Sequence, residues 1–196
     1  IVTGSEMRRF FGTKLNALGG DFKKSQLVRF GSSRKFGGVM ITTVPAVHSN
    51  GVNPAFIGGE LGKLLKAAGL AGYAGPPTGY VLRFTNGLVV YLSGDTGITA
   101  EQDSVVRRHY NAKLVVMNVG NVFTTGPTEA AFVINEVVKP NSVIVSHANE
   151  VATKGGKVIA GTKTDRFIKA TKVPVHLPLS ERTMEFDASG KCTSGC

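Results

Sequence analysis

Cysteine and acidic residues are scarce in this chain of 196 residues, and long apolar runs are absent. Its two cysteines, Cys192 and Cys196, both lie in the last five residues, where a local disulfide and a frayed tail with two free thiols fit the sequence equally well. No stretch of roughly eighteen apolar residues occurs, so we expect no membrane-spanning helix. The cysteine pair leaves localisation open between a cytoplasmic and a secreted or periplasmic protein.

Acidic residues number 13 against 23 lysines and arginines, which gives a formal net charge of +10 at pH 7. A charge of this sign would suit a polyanionic partner such as nucleic acid. The lysines are dispersed, however, and no basic stripe with interleaved aromatic residues occurs. We therefore favour a solvated basic surface and expect no nucleic-acid partner.

Hydrophobic residues make up 42% of the chain, charged residues 18%, and 25 residues are glycine. This composition predicts a compact globular protein with many tight turns, and the length suits a single domain over residues 1–196. Apolar strands alternate with amphipathic helices, which is typical of an α/β architecture. The predicted helices include residues 4–18, with Ser5 as N-cap, and residues 99–110, with a capping box between Thr99 and Gln102.

Three predicted strands each end at a residue that can bind a metal ion. The strand over residues 39–47 leads to His48, the strand over residues 89–92 leads to Asp95, and the strand over residues 142–146 leads to His147. Imidazole nitrogen and carboxylate oxygen are ligands that zinc favours, and open α/β sheets place their sites at the carboxyl ends of strands. Two histidines and one aspartate therefore suggest a metal site without completing it.

The remaining candidates carry weaker signals. His109 is expected to be exposed on its helix, and His176 to lie at a core edge or on a surface strand. Residues 50–78, rich in Gly, Ala and Pro, are predicted to be an insertion that acts either as a lid or as an oligomer contact. Four polar residues near the strand ends are candidates for substrate contact, although hydrogen bonds that cap turns are the favoured role: Ser49, Thr96, Asn118 and Asn149.

Four motifs in order carry a family resemblance: Val44–Ser49 (Val-Pro-Ala-Val-His-Ser), Tyr91–Gly97 (Tyr-Leu-Ser-Gly-Asp-Thr-Gly), Thr125–Ala131 (Thr-Gly-Pro-Thr-Glu-Ala-Ala) and Val143–His147 (Val-Ile-Val-Ser-His). Together they resemble the metallo-β-lactamase-fold superfamily, and within it the metal-dependent hydrolases related to ascorbate-6-phosphate lactonase. The resemblance covers about residues 26–180. Each motif is short, and the specificity lies in their combined order and spacing.

The resemblance implies a four-layer αβ/βα sandwich with one or two divalent metal ions, usually zinc, with manganese or iron as alternatives. By motif, His48 is similar to the third histidine of the first metal site, and His147 is similar to the histidine of the second. Asp95 is similar to the carboxylate that bridges both ions, and it is the residue to which we assign a catalytic role. Metal-activated water would then attack an ester, lactone, amide or phosphoester bond of a small-molecule substrate.

One departure from the family pattern is large. The motif His-x-His-x-Asp-His should lie upstream of His48, but His48 is the first histidine of the chain. We therefore expect that the chain is the C-terminal part of such a domain and that about 90 to 110 residues of the parent are missing. The sheet would then expose a broad apolar face. We expect another fragment or chain that supplies the N-terminal half, or a homo-oligomer, to cover this face.

The leading hypothesis is thus a metal-dependent hydrolase whose active site is only partly present in the chain. One alternative is a non-catalytic relative that keeps the fold for binding or assembly. Another is a nuclease of the same superfamily, which the positive charge would suit.

Overall fold

The computed structural model describes residues 1–196. Its strands are all short: β1 (Val2–Thr3), β2 (Gln26–Leu27), β3 (Ser33–Phe36), β4 (Val39–Pro45), β5 (Gly51–Val52), β6 (Gly72–Tyr73), β7 (Thr78–Arg83), β8 (Val89–Leu92), β9 (Leu114–Asn118), β10 (Ser142–Ser146), β11 (Thr153–Lys154), β12 (Lys157–Val158), β13 (Val175–His176), β14 (Glu185–Phe186) and β15 (Cys192–Ser194). The α-helices are α1 (Ser5–Ala17), α2 (Pro54–Ile57), α3 (Gly59–Ala67), α4 (Pro127–Phe132) and α5 (Lys163–Ala170). Two further helical segments, Gln102–Arg107 and Val133–Val138, have π-type hydrogen bonding, and Phe22–Lys24 is a short 3₁₀ turn.

The backbone forms two compact units, the first of which comprises residues 1–30 and 49–77. In its first segment, Ser5 is the first residue of α1 and not its N-cap as predicted. The N-cap is Gly4, which makes no side-chain hydrogen bond. Gly12 allows the helix to approach Phe22, because a Cβ there would lie 2.7 Å from the ring. The Ser25 hydroxyl donates to the Arg8 carbonyl at 2.8 Å and ties the following turn to α1.

The second segment of this unit holds α2, α3 and the β5–β6 pair. The Asn53 side chain caps α2 by accepting from the Ala55 amide at 2.9 Å, and Asn50 Nδ2 donates to the Gly75 carbonyl at 2.7 Å. Leu61 and Leu64 share one side of α3 and are 60% and 66% exposed. The role of this segment as a lid or an oligomer contact stays a prediction.

The second unit, residues 31–48 and 78–196, is built on a seven-stranded sheet of order β13-β10-β9-β8-β7-β4-β3. The strands from β8 to β13 run parallel, and those from β8 to β3 pair antiparallel. The predicted α/β architecture is therefore present as a mixed sheet with helices. The uncharged strands β4, β8, β9 and β10 lie inside this sheet and not at its edges, as expected for strands made of apolar residues.

One face of the sheet forms the main core with the helical segments. Val115 and Val143 from the strands are fully buried, as are Ile134 from the second π-type segment and Phe167 from α5. Tyr91 of β8 lies in the same cluster with no exposed surface. Because a fully buried Leu- or Phe-sized side chain contributes about 1.5–3 kcal/mol, this layer supplies most of the apolar stabilisation of the unit.

Tyr91 gives the fold a measurable pH dependence. Burial raises the pKa of the Tyr91 phenol to about 12, above its value of about 10 in an unfolded chain. The stability that the neutral phenol provides is therefore complete below pH ~10 and is lost as the pH rises toward ~12. Between pH ~10 and ~12 we expect the free energy of unfolding of the parent protein to fall by about 3 kcal/mol more than that of the Tyr91→Phe variant. Denaturant titrations of both proteins at several alkaline pH values measure it, and equal slopes would contradict the assignment.

The opposite face of the sheet is less well covered. Leu88, Val90 and Leu114 are buried there, whereas Leu92, Val116 and Ile144 are only half-buried. An open groove of about 540 Å³ runs over these strands next to Phe186. The apolar face expected from the sequence is therefore present, and its covering partner stays a proposal.

Several local predictions differ from the structure. Of the predicted helix over residues 99–110, only Gln102–Arg107 is regular, and this segment has π-type hydrogen bonding. One of the two hydrogen bonds of the predicted capping box forms: Gln102 Oε1 accepts from the Thr99 amide at 3.1 Å, while the Thr99 hydroxyl has no partner. The frayed-tail alternative for the last residues is wrong, because Cys192 and Cys196 form a disulfide and Cys192–Ser194 pairs with β14. None of the helices has the length and apolar character that crossing a bilayer requires.

Candidate metal centre

Asp95 lies in a turn that a buried polar network holds in place. Gly94 adopts φ +61, a conformation that side chains rarely tolerate, and so lets the chain turn directly after β8. Beside it, the hydroxyl of Ser93 donates to Asn118 Oδ1 at 3.0 Å. Asn118 Nδ2 in turn donates to the Thr96 carbonyl at 3.0 Å. Since Ser93, Thr96 and Asn118 are all at most 1% exposed, the backbone on both sides of Asp95 is fixed.

The end of β4 is fastened to the same turn. The Val47 amide donates to Thr96 Oγ1 at 3.0 Å, and the Gly97 amide donates to the Val47 carbonyl at 2.9 Å. His48, the next residue along the chain, is therefore held near the Asp95 turn by the two hydrogen bonds of Val47. The order of strands β4, β7 and β8 in the sheet is the reason that these two segments meet.

His147 follows β10 in the left-handed region, with φ 46, as does Asn149 with φ 52. The Asn149 amide nitrogen lies 3.3 Å from His147 Nε2. Lys163, at the start of α5, donates its ammonium to the carbonyls of Gly120 and Ala148 at 2.5 and 3.0 Å. These bonds hold together the loops after β9 and β10, and the sequence motifs had not pointed to Lys163.

The structure brings two of the three predicted ligands into direct proximity. His147 Nε2 lies 3.5 Å from Asp95 Oδ2, and both side chains are partly exposed, at 35% and 47%. His48 is near this pair because its neighbour Val47 is hydrogen-bonded to the Asp95 turn. The ligand atoms of His48, Asp95 and His147 do not, however, all lie within 4.8 Å of one another. The assignment of His48, Asp95 and His147 as metal ligands remains a prediction.

The Asp95–His147 pair fits a divalent cation. A separation of 3.5 Å is longer than the 2.7–3.2 Å of an ordinary N–H···O hydrogen bond. Two ligand atoms that each lie about 2.1 Å from one tetrahedral zinc ion are separated by about 3.4 Å. One carboxylate oxygen and one imidazole nitrogen also form a donor set that zinc accepts. The observed separation is thus compatible with two ligands of one ion.

The polar residues near the strand ends divide into two groups. Thr96 and Asn118 are fully buried and bond within the turn network, so the turn-capping interpretation holds for both. Asn149 lies against the His147 ring and is exposed, which leaves substrate contact open for it. Gly97, in contrast to Gly94, shows no positive φ and has ordinary space for a Cβ.

Gly120 gives a prediction for the position of His147. A Cβ at Gly120 would lie 2.7 Å from the His147 carbonyl and 3.1 Å from its ring carbon Cδ2, so Gly120→Ala must displace the histidine. We expect a loss of about 1–3 kcal/mol in stability and a weaker affinity for divalent cations. The matched control is Gly97→Ala, whose Cβ would meet Val47 at an unstrained 3.8 Å. Calorimetric titration with zinc and denaturant unfolding compare the two variants, and equal affinities would contradict this role of Gly120.

A groove of about 510 Å³ opens beside His147 on the less covered face of the sheet. Its wall combines the apolar side chains of Val116, Ile144 and Leu177 with the polar groups of His147 and Glu150. Apolar walls with a few convergent polar groups are typical of small-molecule sites. The groove and the Asp95–His147 pair therefore share one edge of the sheet.

By sequence, the chain is similar to several curated metal-dependent hydrolases. The chain is 34% identical over 113 residues to a UPF0173 metal-dependent hydrolase from Polaromonas, a match that covers 56% of this chain and 37% of the relative. It is 33% identical over 126 residues to one from Pelotomaculum thermopropionicum, covering 64% and 49%. The chain thus spans less than half the length of these curated relatives. No family model matches the chain.

Two solved hydrolase structures share the fold of the chain. The metallo hydrolase Igni18 from Ignicoccus hospitalis superposes with a TM-score of 0.53 at 21% identity, over 90% of this chain and 65% of that one. An isothiocyanate hydrolase from Delia radicum gut bacteria superposes with a TM-score of 0.56 at 18% identity, over 96% and 67%. The resemblance to metal-dependent hydrolases that the motifs carry is confirmed: the chain is similar in sequence to UPF0173 metal-dependent hydrolases, and it shares its mixed α/β fold with these two solved hydrolases.

Proposed function

We propose that the chain carries part of the active site of a metal-dependent hydrolase, with Asp95 and His147 as ligands of a divalent cation and His48 as a third ligand. The observation that supports this most directly is the 3.5 Å separation of Asp95 Oδ2 and His147 Nε2, which follow strands β8 and β10 on either side of β9. The curated relatives of the chain are named metal-dependent hydrolases, which supports the reaction class. Zinc is our first choice of ion because of the donor set, with manganese or iron as alternatives.

The residues of this chain would each contribute in a distinct way. Asp95 supplies negative charge at a turn whose backbone cannot relax, so its carboxylate is preorganised. His147 offers Nε2 toward the same point, and the Asn149 amide nitrogen, 3.3 Å from Nε2, would turn away when a cation takes that lone pair. A divalent cation, when bound, supplies Lewis-acid chemistry that acidifies water and polarises a carbonyl or phosphoryl oxygen.

The scissile bond is proposed by class: an ester, lactone, amide or phosphoester. The isothiocyanate hydrolase among the structural neighbours adds the carbon–nitrogen double bond of isothiocyanates to the compounds worth testing. All five classes present an electrophilic carbon or phosphorus to water, which is the chemistry that the predicted ion would assist.

The half-buried sheet face supports a proposal about partners. Leu92, Val116 and Ile144 form a continuous apolar surface across three strands, and such surfaces are uncommon on monomers in solution. We propose that a companion polypeptide segment covers this face, and a second copy of the chain is the alternative. Light scattering after gel filtration distinguishes them by mass. A monodisperse monomer without a companion would contradict both.

The test of function uses protein purified without chelators. We expect one or two equivalents of zinc, manganese or iron by elemental analysis, and hydrolysis of at least one chromogenic ester, lactone, amide, phosphoester or isothiocyanate. Removal of the ion should abolish the hydrolysis, and its return should restore it. Protein that binds no divalent cation at micromolar concentration would refute the proposal. Protein that binds the cation without any hydrolysis would instead support the non-catalytic assembly role.

A further inference from the structure

A second group of metal-binding side chains lies in the same unit and is independent of the Asp95–His147 pair. It is the only group of three or more His, Cys, Asp or Glu residues in the chain whose ligand atoms all lie within 4.8 Å of one another: His176, Cys192 and Cys196. The first is at the edge strand of the large sheet, and the cysteines belong to or follow β15. None of the three is among the residues assigned to the hydrolase site.

His176 presents a buried nitrogen without a partner. It pairs with Ile144 of β10, so its side chain lies on the less covered face of the sheet. Its ring packs edge to face against Phe186 with centroids 5.3 Å apart. Its Nε2 is buried and makes no hydrogen bond. A buried polar atom without a hydrogen-bond partner lowers the free energy of unfolding by about 1–3 kcal/mol. Such atoms are rare in folded proteins, and a ligand that Nε2 binds would account for this one.

The β14–β15 ribbon places sulfur beside this nitrogen. Phe186 is the register partner of Cys192, so the strand that packs on the His176 ring also carries the first cysteine to it. Gly195 then adopts φ +76 and passes so close to the Thr183 carbonyl that a Cβ would overlap it. This turn returns Cys196 to Cys192, and their sulfurs are joined as a disulfide with a Cα–Cα distance of 6.4 Å.

The disulfide alone does not explain the His176 nitrogen. As a local staple it would stabilise the ribbon with any residue at position 176. Once reduced, however, the two sulfurs and Nε2 form a mixed sulfur–nitrogen donor set, which is typical of zinc. Tetrahedral coordination needs ligand atoms about 3.4–3.8 Å apart, so a nitrogen already within 4.8 Å of the sulfurs needs to move by about an ångström. The two sulfurs, bonded in the disulfide, must move apart by roughly 1.5–2 Å after reduction. Cys196 is exposed and free of core packing, so it can make this adjustment.

We propose that His176, Cys192 and Cys196 form a redox-gated site for a thiophilic divalent cation, with zinc as the preferred ion. A dithiol reductant gives two electrons and two protons to the disulfide and becomes a disulfide itself, which leaves two thiols on the chain. Binding of the cation displaces both thiol protons, and the neutral His176 ring adds its Nε2 lone pair. A disulfide oxidant reverses the step: it takes two electrons from the two thiolates and two protons from water, becomes a dithiol, and leaves the closed disulfide and the released ion.

Cobalt(II) is the probe that tests this site. The full chain is reduced with a phosphine, freed of reductant without oxygen, and titrated with cobalt. We expect one equivalent to produce the near-ultraviolet absorption of thiolate-to-cobalt charge transfer, and zinc to displace it. The oxidised chain should show no such absorption. Since His48, Asp95 and His147 contain no sulfur, an ion bound there cannot give this signal. Reduced chain that lacks the absorption would overturn the proposal.

Variants test the three-ligand arrangement. His176→Gln is expected to weaken the affinity for cobalt by on the order of 100-fold, while His109→Gln, an exposed histidine elsewhere, leaves it unchanged. Cys196→Ser replaces an exposed residue and keeps the core intact, and it should weaken the affinity to a similar extent. Circular dichroism verifies that each variant is folded. An affinity in folded His176→Gln or Cys196→Ser equal to that of the reduced parent chain would show that the site is not the one proposed.

Discussion

Asp95→Asn is expected to abolish measurable hydrolysis by the protein, with a loss of about 10³-fold or more in kcat/KM. The substitution keeps the size of the side chain and removes the charge that would hold a divalent cation next to His147. The Asp95 side chain is 47% exposed and takes no part in the buried network, so stability should change by less than about 0.5 kcal/mol. Elemental analysis, steady-state kinetics and denaturant unfolding on the same preparation measure all three quantities.

The matched control for this variant is Glu181→Gln, which makes the same change of charge at an exposed position away from the strand ends. We expect it to retain both the bound ion and the rate. If Asp95→Asn kept its full complement of metal and its full rate, Asp95 would not be a ligand. If it lost the ion together with several kcal/mol of stability, the residue would have a structural role that its exposure does not indicate.

Asn118→Ala is expected to destabilise the fold by about 3 kcal/mol, which lowers Tm by about 6–12 °C in a protein of this size. Asn118 is fully buried, accepts from Ser93 Oγ, and donates to the Thr96 carbonyl and to Thr125 Oγ1 at 2.8 Å. Removal of its amide takes one buried hydrogen bond from each of those three groups, which keep only bonds that involve the backbone. Because the same network fixes the turn around Asp95, the affinity for zinc should fall as well.

Asn141→Ala is the control, since Asn141 is exposed and donates one hydrogen bond, to the Ser189 carbonyl at 2.7 Å. Its cost should stay below about 1 kcal/mol, with no effect on zinc affinity. Differential scanning calorimetry of the two alanine variants gives the comparison. Similar melting temperatures for both would mean that water replaces the lost amide at position 118 and that the turn does not depend on it.

The parts of this fold that could be predicted from the sequence are those determined by local apolar patterns. Strands β8, β9 and β10 are short uncharged runs, and their burial follows from that property alone. The residues after them, Asp95 and His147, were identified as candidates because parallel strands end at one edge of a sheet. Their 3.5 Å separation, however, depends on the φ 46 of His147, which no sequence pattern indicates.

Other features depend on pairing between distant segments. The β14–β15 ribbon is polar and only a few residues long, so its strands have no apolar alternation to reveal them. His176 was expected at a core edge or on a surface strand, and β13 does form the edge of the sheet. Its proximity to the two cysteines arises from the register of Phe186 with Cys192, a relation that follows only from the folded ribbon. The Asn118 network likewise joins residues up to 25 positions apart.

The order of strands in the large sheet has a consequence for how the chain acquires its structure. Read from one edge to the other, the strands follow their order in the sequence, from β3 through β4, β7, β8, β9 and β10 to β13. Each strand can therefore join the edge left by the one before it as the polypeptide emerges from the ribosome, and no strand has to be inserted between two that have already paired. Sheets of this kind have modest loop-closure costs at every step, which favours rapid folding during synthesis.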